Sequence, residues 1–290
     1  MAIDVSRARG QVPPMFSVAL DPQTGPQASA RRIGALVRRH WYLLRSSGPR
    51  ALEMVFWPLV QMLTWGFVQV HLAQTTSLAA TAAGLFVGGV LLWDILARSQ
   101  LGFAMAFLEE VWARNLGHLM MSPLRPAELI ASLIVVSLIK LSVAMVPVVT
   151  IAFLLFDYNL FSLGLALAAF FANLVFTSWS FGLVSTGAVL RYGLGAENIA
   201  WLMTFLMMPL ACVYYPVTTL PWWLQPFAWA LPPTYVFEGL RAVVLNGEFR
   251  ADLMLWALAL NAVYLALGLA RFRYLIESAR RAGTLVQMGE

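Results

Sequence analysis

The sequence predicts an all-α membrane protein. It has six transmembrane helices, an N-terminal interfacial amphipathic helix, and re-entrant or interfacial short helices between spans five and six. Three observations predict this. Hydrophobic residues make up 60% of the chain and charged residues only 11%, far from the roughly one-quarter charged share of soluble proteins. Several apolar runs reach about 20 residues, enough to cross a hydrocarbon core of roughly 30 Å. Leu, Ala, Val, Phe, Trp and Gly dominate those runs, so they read as helices rather than as alternating barrel strands.

The elements follow in chain order. Residues 1–28 are polar and rich in Pro and Gly, and no apolar stretch leads to a small-residue cleavage site. They read as a disordered cytoplasmic tail, not a signal peptide. Residues 29–272 form the transmembrane domain, and 273–290 a cytoplasmic C-terminal tail. The domain opens on SARRIGALVRRHWYLLRSSGPR, residues 29–50. Ile33, Leu36, Val37, His40, Trp41 and Leu44 share one helical face. Arg31, Arg32, Arg38, Arg39 and Arg45 lie off it, an arrangement suited to a helix in the interface with arginines toward anionic headgroups. Spans are expected near 51–72, 78–104, 127–155, 161–190, 198–215 and 252–271. The segment before the first span carries eight arginines, and the C-terminal tail carries Arg271, Arg273, Arg280 and Arg281. Six crossings put both basic ends on one side, which the positive-inside rule makes cytoplasmic. The connections at 73–77 and 156–160 hold no Lys or Arg and fall outside. The net charge of +5 then reflects topology, not nucleic-acid binding. The single cysteine, Cys212, lies in an apolar run and reads as core.

The long inner connection is AFLEEVWARNLGHLMMSPLRPAELIAS, residues 106–132. Leu108, Trp112, Asn115, Leu116 and Leu119 share a helical face, with Glu109, Glu110 and Arg114 off it. Ser122-Pro123 stops that helix, and Pro126 starts the next with Glu128 in its first turn. The projecting helix is a linker or a docking surface; composition favours neither. Charges inside spans are costly, so Asp94 and Lys140 need partners. Counted from inner ends at 104 and 127, their depths differ by roughly 4.5 Å at 1.5 Å per residue. They can pair across antiparallel neighbours, or Asp94 can pair locally with Arg98 at i and i+4. Glu53 can sit beside the arginines of the interfacial helix.

The segment YYPVTTLPWWLQPFAWALPPTYVFEGLR, residues 214–241, holds five prolines and eight aromatic rings. Helix breaks fall at Pro216, Pro221, Pro226 and Pro232-Pro233. Freed backbone at membrane depth is tolerated only when buried in protein or facing water. Trp222, Trp223, Trp229 and Tyr235 suit the membrane–water boundary. Pro233 can start a last short helix that Asn246-Gly247 ends. Glu238 and Arg241, three apart, can pair on one face of it.

Two stretches together carry a family resemblance. The inner element with Glu109-Glu110 and LGHLMMSPLRPAEL resembles the cytoplasmic coupling segment of ABC-2-type transporter permeases. The elements Tyr215-Pro216, Pro221-Trp222-Trp223-Leu224-Gln225, Pro233-Thr234-Tyr235 and Glu238-Gly239-Leu240-Arg241 resemble that family's second signature. The flavour is similar to the nodulation lipo-oligosaccharide and polysaccharide exporter group; the long polar N-terminal tail departs from the pattern. The resemblance implies an exporter permease in a bacterial inner membrane. It implies a second protomer, as a homodimer or close heterodimer, and two copies of a separate P-loop ATPase. Glu109, Glu110, Trp112, Arg114, Leu116 and Pro123 would serve the ATPase docking site. Tyr215, Pro216, Pro221, Trp222, Trp223, Pro233, Tyr235, Glu238 and Arg241 would form the outer gate. No cofactor is expected on this chain, and ATP with Mg belongs to the partner. A phosphate-cradling loop needs a lysine after glycine, whereas the only lysine, Lys140, follows Ile139. An ion-driven carrier would show more buried charge and internal repeats. A metal enzyme would need converging ligands, which His40, His71 and His118 do not offer. A secondary transporter and a non-transporting scaffold stay open as alternatives.

Overall fold

The computed structural model describes residues 25–75, 84–193, 195 and 197–282. The expected disordered tail lies outside the described residues up to residue 24. Its last positions belong instead to the first helix, which Pro26 opens at a position where its missing N–H costs nothing. Ten α-helices appear among the described residues, and no strand. They are α1 (Pro26–Arg45), α2 (Gly48–Thr75), α3 (Leu85–Trp112), α4 (Leu116–Met121) and α5 (Pro126–Phe156), then α6 (Leu165–Tyr192), α7 (Glu197–Leu210), α8 (Gln225–Trp229), α9 (Pro232–Asn246) and α10 (Ala251–Ala282).

Five of these helices, α2, α3, α5, α6 and α10, are long and apolar enough to cross a membrane. The chain is an all-α membrane protein. The fifth expected span, 198–215, is shorter than its apolar run suggests. Helix α7 stops at Leu210, so it covers only about 21 Å at 1.5 Å per residue. Cys212 then takes a left-handed backbone with φ 54°, and the run continues as irregular chain. Hydropathy cannot see that break, because residues 211–213 are as apolar as the helix before them.

Helix α3 is the centre of the bundle. Nearly all its side chains are buried, and Leu91, Leu92, Leu96, Phe103 and Phe107 are fully enclosed. Helices α2 and α10 are peripheral and carry exposed Phe56, Trp57, Phe67, Leu255, Trp256 and Leu267, as expected of faces whose solvent is lipid. Two cores form along the bundle. Met62, Leu96, Phe170, Phe237 and Met254 belong to one. Leu36, Phe107, Leu133, Leu190 and Phe272 belong to the other, where α1 packs.

Helices α6 and α10 meet along a close seam. A Cβ on Gly268 would lie 3.1 Å from the Ser180 carbonyl oxygen, and one on Gly187 would lie 2.8 Å from Leu275. Small residues let membrane helices approach closely, and polar side chains then join them. Asn261 donates to the Asn173 backbone carbonyl at 2.9 Å and accepts from the Thr177 hydroxyl at 2.7 Å. Ser178 donates to the Leu96 carbonyl at 2.8 Å, tying α6 to α3.

Candidate functional site

One end of the bundle is built from charge. Helix α1 buries Leu36, His40 and Leu44, as its periodicity predicts, but Trp41 is exposed. Its arginines divide. Arg31, Arg38 and Arg45 are exposed, while Arg32 and Arg39 reach other helices. Arg32 donates twice to Glu128 at the start of α5, from Nε at 2.9 Å and from a terminal nitrogen at 2.6 Å. Two parallel bonds of this kind fix orientation as well as charge. Glu128 also accepts from Ser29 and from the Arg125 backbone N–H. Arg39 pairs with Glu110 near the end of α3, and Asn115 donates to the same carboxylate at 2.7 Å. The His40 ring sits between the Leu36 and Ala106 carbonyls, at 3.0 and 3.1 Å, with Glu110 at 3.5 Å.

Two residues of the expected docking set lie inside the bundle. Glu110 is only 1% exposed, and Leu116 is buried too. Helix α3 runs on to Trp112, and Arg114 then breaks it in a left-handed conformation with φ 53°. The single expected helix is therefore two, and α4 sets off in a new direction. Trp112, Arg114, Met121 and Pro123 form the exposed rim of the connection. Glu109 and Glu110 face inward because α1 and α5 supply cations there. Arg32 and Arg39 lie seven apart, two turns of α1, and so on one edge of it. Arg31, Arg38 and Arg45 share that spacing on the exposed edge, so the sequence alone does not tell the two edges apart.

The other end is built from broken helix. After Cys212 the chain makes a 3-10 turn at Val217–Thr219, then α8, then α9. Glu238 and Arg241 pair at 3.1 Å, as their spacing predicts. Both also bond backbone outside α9. Arg241 donates to the Cys212 carbonyl at 2.9 Å, and Glu238 accepts the Val217 N–H at 2.8 Å. Freed backbone is thus satisfied by protein groups, as membrane depth requires. Tyr215 donates to the Pro209 carbonyl at 2.8 Å, closing the end of α7. Tyr214 stacks on Trp65 of α2 at 4.3 Å, and Tyr235 meets Trp229 edge-on at 5.0 Å. Pro233 is buried, while Pro216, Pro221, Trp222 and Trp223 form an exposed rim. Helix α9 packs deep: a Cβ on Gly239 would lie 2.8 Å from Met254 and 3.2 Å from Phe170.

The charges within the spans resolve into two pairs. Asp94 faces Arg98 at 3.9 Å. Lys140 donates to Glu109 at 3.0 Å, not to Asp94. The interhelical pair thus joins the expected helices through a different residue. The cause is the length of α3, which ends eight residues beyond the expected 104. Gly102 is what lies level with Lys140, a Cβ there falling 3.6 Å from that of Lys140. Asp94 is roughly 12 Å further along α3 at 1.5 Å per residue. The lysine stem turns toward the charged end instead, as amphipathic side chains do in membranes. Glu53 lines a cavity of about 330 Å³ together with Arg98, Glu109 and Lys140. Sequence reading missed two of its walls, Trp57 and Trp201, because single tryptophans in apolar helices look like lipid anchors.

A polytopic helical membrane protein with a charged end, a central buried helix and a proline-broken aromatic cap is a permease-like architecture. The chain matches the family described as ABC-2 type transporter over residues 31–245, and it belongs to that family. It is the membrane permease component of an ABC transporter. A search among curated proteins finds no match to the chain.

Proposed function

We propose that the chain is the transmembrane subunit of an ATP-driven exporter, working as a pair of protomers with two copies of a separate ATPase. Family membership carries this reading, because permeases of this family generally act with a P-loop ATPase subunit. The charged end faces the cytoplasm in it, with both termini on that side. Helix α7 and the aromatic cap together complete the sixth crossing. The ATPase docks on the rim of Trp112, Arg114, Met121 and Pro123, which is exposed in the isolated chain. Glu110 and Leu116 act behind that surface. Glu110 is held by Arg39 of α1, and Glu109 by Lys140 of α5. A push on the α3–α4 connection therefore moves α1 and α5 with it, as a rigid-body shift rather than a local loop motion. The aromatic cap is the outer gate, and amphipathic lipid-linked or glycosylated molecules are the substrates.

The test is purification of the tagged chain from its native membrane in mild detergent, with identification of partners and an ATPase assay. A stoichiometric P-loop ATPase is expected, and Trp112→Ala with Arg114→Ala should release it while the permease stays folded. A stable chain that brings no ATPase would overturn the reading and favour an ion-driven carrier or a scaffold.

A further inference from the structure

The cavity between α2, α3, α5 and α7 holds a charge, Arg98, that the coupling machinery does not use. Its walls include Trp57, Trp201, Arg98, Glu53 and the bonded pair of Glu109 and Lys140. Arg98 is the unusual member. Its side chain is 19% exposed, it lies midway along a membrane helix, and it forms no hydrogen bond among the described residues. Its Nε is buried and unbonded. Asp94 supplies a counter-charge at 3.9 Å, beyond hydrogen-bond distance, and Glu53 a weaker one, while both Asp94 oxygens are themselves unbonded. A guanidinium carries five N–H donors in a planar fork that matches carboxylate and phosphate oxygens. Leaving its Nε–H buried and unbonded at membrane depth is costly, so its retention beside a cavity calls for an acceptor.

We propose that this cavity binds the oxyanion headgroup of an amphipathic molecule, with Arg98 as the anion ligand and the rings of Trp57 and Trp201 as walls for its apolar part. At about 330 Å³ the cavity lies at the small end of ligand sites, so it takes a headgroup and the first part of a chain rather than a whole lipid. Glu109 and Lys140 neutralise each other on one side. Glu53 is then the acidic wall opposed to an anion, and it sets the selectivity: a second negative charge on the ligand is repelled. Within the permease reading, on which the direction of travel rests, this is where an amphipath is held before it moves. Binding itself needs no ATPase, so failure here leaves the permease reading standing.

The test is titration of dodecyl phosphate into the full chain in neutral maltoside detergent, followed by tryptophan fluorescence. Dodecanol and inorganic phosphate are run in parallel. Dodecyl phosphate should saturate, and Arg98→Gln should weaken it about ten-fold or more, as loss of a charge-assisted bond requires. Glu53→Gln should tighten it several-fold. Equal binding of dodecanol would remove the anion from the site. Equal binding of inorganic phosphate would reduce it to a free-anion site and overturn the amphipath assignment. If Arg98→Gln does not elute as a single species, Glu53→Gln and Trp201→Phe decide, and unchanged affinity in both overturns the proposal.

Discussion

At the charged end, three side-chain pairs join helices far apart in sequence: Arg32 with Glu128, Arg39 with Glu110, and Lys140 with Glu109. At the aromatic end the pair of Glu238 with Arg241 spans one turn of α9 and directs its remaining bonds to backbone at Cys212 and Val217. The difference follows from what each end has to hold. Regular helices have satisfied their own backbone, so only side chains remain to fasten one to another. A proline-broken segment has backbone to satisfy first. The charged end therefore fastens rigid rods to one another, while the aromatic end fixes the shape of an irregular one.

Substitutions can break that contrast. The largest effect is expected at Glu110. Glu110→Ala removes a buried carboxylate that holds both Arg39 and Asn115, and two charge-assisted bonds at about 1.5 kcal/mol each make about 3 kcal/mol. Thermal unfolding in detergent should show the loss. Arg39→Met combined with Glu110→Leu should recover part of it, since replacing both partners of a hydrogen bond by apolar groups is milder than removing one. No recovery in the double variant would mean that the pair is not the clamp. Arg241→Met should cost less overall, about 2 kcal/mol, the scale of a charged hydrogen bond and the orphaned carbonyl behind it. Its signature is local: proteolysis within residues 212–224 should rise before the bundle melts. If Arg241→Met and Glu110→Ala unfold the chain as one unit at the same temperature, the two ends are not separately held. The smallest effect is expected on the exposed rim. Trp112→Ala should change stability by no more than about 0.5 kcal/mol.

Much of this fold was legible in the sequence, and the misses share a cause. Helix α5 was expected at 127–155 and runs Pro126–Phe156, because its start is marked by a proline and its length by hydropathy. The Glu238–Arg241 pair was legible because its partners are three residues apart. Arg39 and Glu110 are 71 residues apart, and an arginine on an amphipathic helix looks the same in sequence whether it faces lipid or a buried carboxylate. The depth of Asp94 was misjudged because α3 runs unbroken through Glu109 and Glu110, which the sequence places on a separate projecting helix beyond a span ending at 104. The end of α7 hid in an apolar run because a single left-handed residue leaves no mark on composition.

Cys212 gives the aromatic end a further property. It is the only thiol in the chain, its side chain is buried, and its own carbonyl is the acceptor that Arg241 holds. Labelling by a thiol-selective reagent therefore has one possible address, at the turn between α7 and the cap. A thiol reagent meets nothing while that turn is closed. The rate at which it reacts measures how well that turn is shielded, without any engineered cysteine.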